Sequence, residues 1–284
     1  MTSTRQERAA ERAVTLNLLK NLTLREIRSQ YKRTALGRIW SLINPLAQIA
    51  IFSLVFGFLF QIPAPVGTNS GLEIFPVWIG IGVITWGFVS GAISAGMGSL
   101  VDNAGLLTKV YFPRSVLVTS TILSSAFTYA TELLVLVAVV VSVGGPQVLL
   151  YVLLLVPLLA LTVCFVLGIA LLLSVASVYF RDLRHLWGIF TQVWMYGSGV
   201  MFPVALVRQA EERIATEQGL SIPLVTIFEA NPAERFLSAY RNVLYDFQVP
   251  PLDTWITIIL WAAIALVGGM LVFRRLARDI VEEI

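Results

Sequence analysis

Long uncharged stretches alternate with short charged ones along this chain. Residues 39–72, 74–101, 186–207 and 254–273 contain no Asp, Glu, Lys or Arg, and in the middle 115–131 and 133–180 are parted by Glu132 alone. A helix needs about 20 apolar residues to cross roughly 30 Å of hydrocarbon, so each of the first four stretches holds one span. The middle holds two, divided at Gly144-Gly145-Pro146, where two glycines and a proline end a helix at little cost. The pattern predicts an all-α integral membrane protein with six transmembrane helices at about 43–62, 75–100, 115–142, 148–178, 186–205 and 254–273.

The segments between the spans have patterns of their own. Over 12–33, at 100° per residue, Leu16, Leu19, Leu24, Ile27 and Tyr31 share one arc, interrupted by Lys20, while Asn21, Arg25, Arg28 and Lys32 gather opposite. A basic amphipathic helix just before a first span is predicted to lie in the membrane interface, as a topology anchor, a gate or a docking surface. The chain thus divides into a tail with this helix, 1–42, and a six-span body, 43–284. Between spans five and six, residues 206–253 are broken by Gly219, Pro223, Pro232, Pro250 and Pro251. Helix-compatible composition survives there at 205–217 and 233–247, the latter with Phe236, Tyr240 and Leu244 at i, i+4 and i+8, which predicts short re-entrant or interfacial helices. In the loop 102–114, Asp102 or Asn103 can cap a short helix that Pro113 stops. Its Leu106, Leu107 and Val110 form either an apolar knob that invites a partner or a tight turn packed on its own protein.

Composition agrees with the pattern: 57% of residues are hydrophobic, 13% are charged, and the mean hydropathy is +0.81. Lys and Arg set the orientation. With both termini inside, only Arg208, Arg213, Arg235 and Arg241 of the 20 basic residues fall outside, whereas the acidic residues show no such bias. The basic pI near 9.2 therefore reflects topology and favours anionic lipid over nucleic acid as a partner. The first 38 residues are polar and Arg-rich without a cleavable apolar core, so no signal peptide is expected. Cys164, in the fourth span, is the single cysteine and reads as a packing residue.

Candidate chemistry is sparse. No Gly-x-x-x-x-Gly-Lys-Ser/Thr phosphate loop occurs, and one histidine (His185) with one cysteine offers neither a metal site nor a catalytic constellation. Glu132 is the one acid inside a drawn span. It suits a structural hydrogen bond, or a position facing protein or water, better than ion coupling. Phe52, Phe56 and Phe60 in the first span and Trp187, Phe190 and Trp194 in the fifth form aromatic stripes. Such stripes serve either as helix-packing and lipid-facing belts or as surfaces that stack on sugar rings.

Four segments carry a resemblance: LTLREIRSQYKRTALGRIWSLINPL (22–46), DNAGLLTKVYFPRS (102–115), YFRDLRHLW (179–187) and NPAERFLSAYRNVLYD (231–246). In this order between six spans they resemble the type-2 ABC exporter permeases, in the branch that exports polysaccharides such as O-antigen, teichoic acid and mycobacterial galactan. The resemblance implies a permease without its own ATPase site, working as a homodimer in the bacterial inner membrane with both termini cytoplasmic. Two copies of a separate cytoplasmic ATPase subunit would hold ATP and Mg, this chain itself binding no cofactor, and the substrate would be a lipid-linked polysaccharide. It further implies ATPase coupling through Asp102, Asn103, Leu106, Leu107, Lys109 and Phe112, and channel lining by the two aromatic stripes. Arg25, Arg28, Lys32 and Arg33 would receive the lipid diphosphate, a role their charge suits. Competing readings are an exporter of drugs or simple lipids, and a membrane-embedded glycan-processing enzyme using Glu132 or Glu229. One departure stands out: GSGVMFPV (197–204) replaces the Ser-Pro-Val-x-Tyr-like stretch of many relatives at the outer gate.

Overall fold

A computed structural model describes residues 3–29, 39–107, 112–180 and 182–277, and among these it contains helices and no strand. In chain order the helices are α1 (Ser3–Ser29), α2 (Trp40–Phe52, prolonged by a π-helical stretch Ser53–Leu59), α3 (Phe75–Asp102), α4 (Ala104–Leu107) and α5 (Ser115–Gly144). They continue as α6 (Leu155–Tyr179), α7 (Leu183–Tyr196), α8 (Val204–Gln218), α9 (Leu224–Glu229), α10 (Pro232–Leu244) and α11 (Leu252–Leu276). Five segments are long and apolar enough to cross a bilayer: Leu42–Leu59, α3, α5, Val152–Tyr179 and α11.

The sixth expected span, 186–205, takes a different form. Its helix, α7, has 14 residues and ends at Tyr196. At 1.5 Å per residue that is about 21 Å, short of the roughly 30 Å hydrocarbon core. An uncharged run cannot distinguish a continuous helix from a broken one, and this one breaks at Gly197-Ser198-Gly199, where Gly199 adopts φ +65°. The expected division of the middle stretch is present, with Gly145 at φ +81° between α5 and the 3₁₀ turns that lead into α6.

α3 forms the centre of the bundle. Its apolar residues are buried on nearly every side, and α2, α5, α6, α7 and α10 all pack against it. Lipid is as apolar as leucine, so helices in a membrane gain more from close backbone approach than from hydrophobic burial. The α6–α11 crossing illustrates this. A Cβ built on Gly168 would lie 2.2 Å from the backbone carbon of Ala265, and one on Gly269 would lie 1.9 Å from the carbonyl oxygen of Gly168. Polar side chains add fixed links: the Ser177 hydroxyl of α6 donates to the Met97 carbonyl of α3 at 2.8 Å.

α1 packs along α5 through a face that overlaps the expected arc only along one edge, at Leu19. Leu22 is buried and Leu18 and Leu19 are partly so, whereas Leu16 stays 64% exposed and Leu24 39%. The helix carries two apolar stripes, and the protein takes the one centred on Leu22. Periodicity alone did not separate them, because Lys20 interrupts one stripe and Thr15 and Glu26 flank the other.

Candidate functional site

At one end of the bundle the polar loop residues tie several helices together. Asn103 caps α3: its side-chain Nδ2 donates to the Ser99 carbonyl at 2.9 Å. Its own carbonyl accepts from the amides of Leu106 and Leu107 at 2.9 and 3.2 Å, which opens α4. The remaining side-chain oxygen accepts from the Arg25 guanidinium of α1 at 3.1 Å. One residue earlier, Asp102 pairs with Arg184 of α7 at 2.9 Å, and the same guanidinium nitrogen reaches the Gly98 carbonyl at 3.4 Å. Adjacent residues thus link α3 to both α1 and α7. These contacts are solvent-exposed and are worth at most about 1 kcal/mol each, so they connect elements more than they stabilise the fold.

Of the two readings of this loop, Leu106 and Leu107 follow the turn packed on its own protein rather than the outward knob. Leu107 is 9% exposed and Leu106 is partly buried against the core, because in a four-residue helix the apolar side falls back on the bundle rather than into water. The exposed positions are Asp102 and Gly105, and Phe112 is half-buried. Lys109 and Val110 lie outside the described residues, as do Lys32 and Arg33 of the expected diphosphate cluster, whose other members, Arg25 and Arg28, are exposed on α1.

The aromatic stripes divide between packing and exposure. Phe52, Phe56 and Phe60 form a ladder with ring centroids 6.2 and 6.0 Å apart. Phe52 and Phe56 lean on the core while Phe60 is 68% exposed. On α7, Trp187 is buried and donates to the Ser94 hydroxyl of α3 at 3.1 Å. Trp194 meets Trp86 edge-on at 5.4 Å and donates to Asn231 at 2.8 Å. Phe190, between them, faces outward. Trp187 and Trp194 therefore hold α7 to α3 and to the start of α10, and Phe60 and Phe190 are the members presented to the surroundings.

The break after α7 is closed by a residue that the sequence reading passed over. α10 sits inside the bundle: Phe236, Leu237, Tyr240, Val243 and Leu244 are fully buried, packed among α3, α6 and α11. Asn231 caps it, accepting from the Ala233 amide at 3.0 Å, and its Nδ2 donates to the Gly197 carbonyl at 2.9 Å. From the same helix Arg241 donates to the carbonyls of Gly199 and Val200 at 2.8 and 3.0 Å, with its guanidinium 3.7 Å from the Trp78 ring centroid. Irregular backbone inside a membrane protein is tolerated where such carbonyls find donors. Gly82 leaves the room, since a Cβ there would lie 2.6 Å from the guanidinium. Burial pushes Arg241 down to about 9, opposed by Glu234 and Asp246, and it remains charged at neutral pH. Two signals in the sequence pointed here: a Gly-Ser-Gly break inside an uncharged run, and an arginine next to the Phe236/Tyr240/Leu244 stripe.

Glu132 makes no hydrogen bond to the described residues. It lines a cleft of about 440 Å³ between α2, α3 and α5, together with Asn44, Gln48, Ser125 and Tyr129. A polar recess takes the place of the expected structural bond, and the nearby hydroxyls are engaged elsewhere: Thr131 donates to the Phe127 carbonyl at 3.0 Å and Tyr129 pairs with Thr85 at 3.0 Å. Among the described residues no cluster of His, Cys, Asp and Glu suits a metal ion.

A family profile described as "ABC-2 type transporter" matches residues 17–210. Among curated proteins, the chain is 24% identical over 252 residues to "O-antigen export system permease protein RfbA" of Myxococcus xanthus, covering 87% of this chain and 89% of that one. Two proteins of the same name from Klebsiella pneumoniae are 24% and 23% identical, over 72% and 81% of this chain and 76% and 85% of theirs.

Proposed function

Because the chain belongs to the ABC-2 type transporter family, we propose that it is the permease subunit of an ATP-driven exporter moving a lipid-linked polysaccharide from the cytoplasm to the outer face of a bacterial inner membrane. The observation that carries the substrate class is the likeness, over most of the chain, to permeases named for O-antigen export. ATP and Mg belong to a separate ABC ATPase subunit, and both termini lie on its side of the membrane, where most of the lysines and arginines fall.

Two features support a homodimer with two ATPase copies. α2 leaves much of its surface uncovered, and α7 presents Leu186, Ile189, Phe190 and Val193 outward. A polymer path enclosed by two copies would place Phe60 and Phe190 where sugar rings pass. At the cytoplasmic end, the segment carrying Asp102 and Asn103 meets the ATPase through its exposed polar side, with Phe112 and Lys109 following. Arg25, Arg28, Lys32 and Arg33 receive the diphosphate of the lipid carrier. The Arg25–Asn103 bond then joins substrate recognition to ATPase contact.

Depletion of the chain in its native host tests this reading. Lipid-linked glycan should accumulate in the cytoplasmic leaflet, and an ABC ATPase should co-purify with the tagged protein. A depleted strain that accumulates no such glycan, or a lone chain that cleaves a glycolipid in vitro, would overturn it.

A further inference from the structure

At the end of the bundle that carries Arg114 and the Arg274-Arg275 pair, a pocket of about 660 Å³ opens between the first turns of α5, the second half of α6 and the last turns of α11. That volume lies within the range of small-molecule sites, about 300–1,000 Å³. Its walls include Leu167 and Leu171 from α6 and Met270 and Phe273 from α11. Arg114 and Arg274 also line it, and neither guanidinium has a hydrogen-bond or ion-pair partner among the described residues. An apolar slot with two guanidinium groups that no described residue pairs with, between membrane-length helices and at the end where their uncharged runs give way to arginine, matches a lipid in both of its parts. The slot takes an acyl chain, and the arginines take a phosphate that sits where headgroups lie.

We propose that this pocket binds an anionic glycerophospholipid from the same leaflet, with its phosphate between Arg114 and Arg274 and one acyl chain along Leu167, Leu171 and Met270. The site is separate from Arg25 and Arg28 on α1 and does not depend on what the protein exports. It joins the start of α5, next to the α4 loop, to the end of α11, so the bound lipid bridges the loop assigned to ATPase contact and the last span.

Native mass spectrometry of the purified, delipidated full chain, titrated with phosphatidylglycerol or with phosphatidylcholine of the same acyl chains, tests the site. At about 1 kcal/mol per basic residue, the two arginines should give on the order of thirtyfold preference for phosphatidylglycerol. Arg114→Gln/Arg274→Gln should abolish that preference, while the exposed control Arg213→Gln should leave it intact. Leu171→Trp, which fills the slot, should weaken binding of both lipids. Soluble glycerol phosphate should not compete; if it did, the apolar slot would have no part in binding. The proposal is overturned if the wild type shows no headgroup preference. It is equally overturned if the double arginine variant keeps the preference.

Discussion

The guanidinium of Arg241 donates to the carbonyl oxygen of Gly199 at 2.8 Å, across 41 intervening residues, and so supplies a bond that the broken helix after Tyr196 cannot make for itself. The partner carbonyl, on Val200, is bonded by the other terminal nitrogen. Only a side chain with a forked set of donors serves both oxygens at once.

Arg241→Met is accordingly expected to destabilise the protein by about 2–4 kcal/mol, because it orphans two buried carbonyls and leaves Asp246 without its counter-charge. Arg241→Lys should fall between the two, keeping the charge and losing the fork. Thermal unfolding in detergent measures both; a Met variant that melts like the wild type would remove this bond from the account.

The Asp102–Arg184 pair is exposed, and breaking it should change stability by less than about 1 kcal/mol. Export is expected to respond differently. Asp102→Arg or Arg184→Asp places like charges together and should reduce glycan export in a complementation assay, and the exchanged pair D102R/R184D should restore it. Full export by both single variants would show that α3 and α7 need no link at this end.

On α1, the buried and exposed leucines should separate cleanly. Leu22→Ala removes a side chain packed on the bundle and is expected to cost about 2 kcal/mol, whereas Leu16→Ala should stay within about 0.5 kcal/mol. Equal losses in melting experiments would place the packed face elsewhere.

At the α6–α11 crossing, Gly168→Ala forces two backbones apart and should cost about 1–3 kcal/mol. Gly87→Ala on α3, where a Cβ meets nothing within 4 Å, serves as the control and should be neutral or slightly stabilising. A Gly168 variant as stable as the control would show that the crossing can open without loss.

Glu132 has no partner to lose among the described residues, so Glu132→Gln should leave melting unchanged or raise it, since a carboxylate within a span is costly. Export should survive the change. Abolished export with normal folding would instead assign the carboxyl a chemical role in the cleft.

How much of this was legible in the residues varies with the range of the force involved. Five apolar segments read as spans are membrane-length helices, because backbone bonds satisfied within one segment depend on that segment's composition alone. The turn at Gly145 and the helices near 205–217 and 233–247 were equally local, set by Gly and Pro. The family was legible in the order of four motifs, none of which needed a contact to be read. The sequence by itself therefore determined a helical membrane protein of a transporter family. It could not decide which of two apolar stripes on α1 meets the protein, whether Leu107 faces water, or whether Trp187 lines a path or anchors a helix. Each depends on which surface arrives from a distant part of the chain. The same holds for α7, whose uncharged run suited a continuous span. Its break persists because Arg241, Asn231 and Gly82 converge on the freed backbone, and only the tertiary structure brings those three residues to one place.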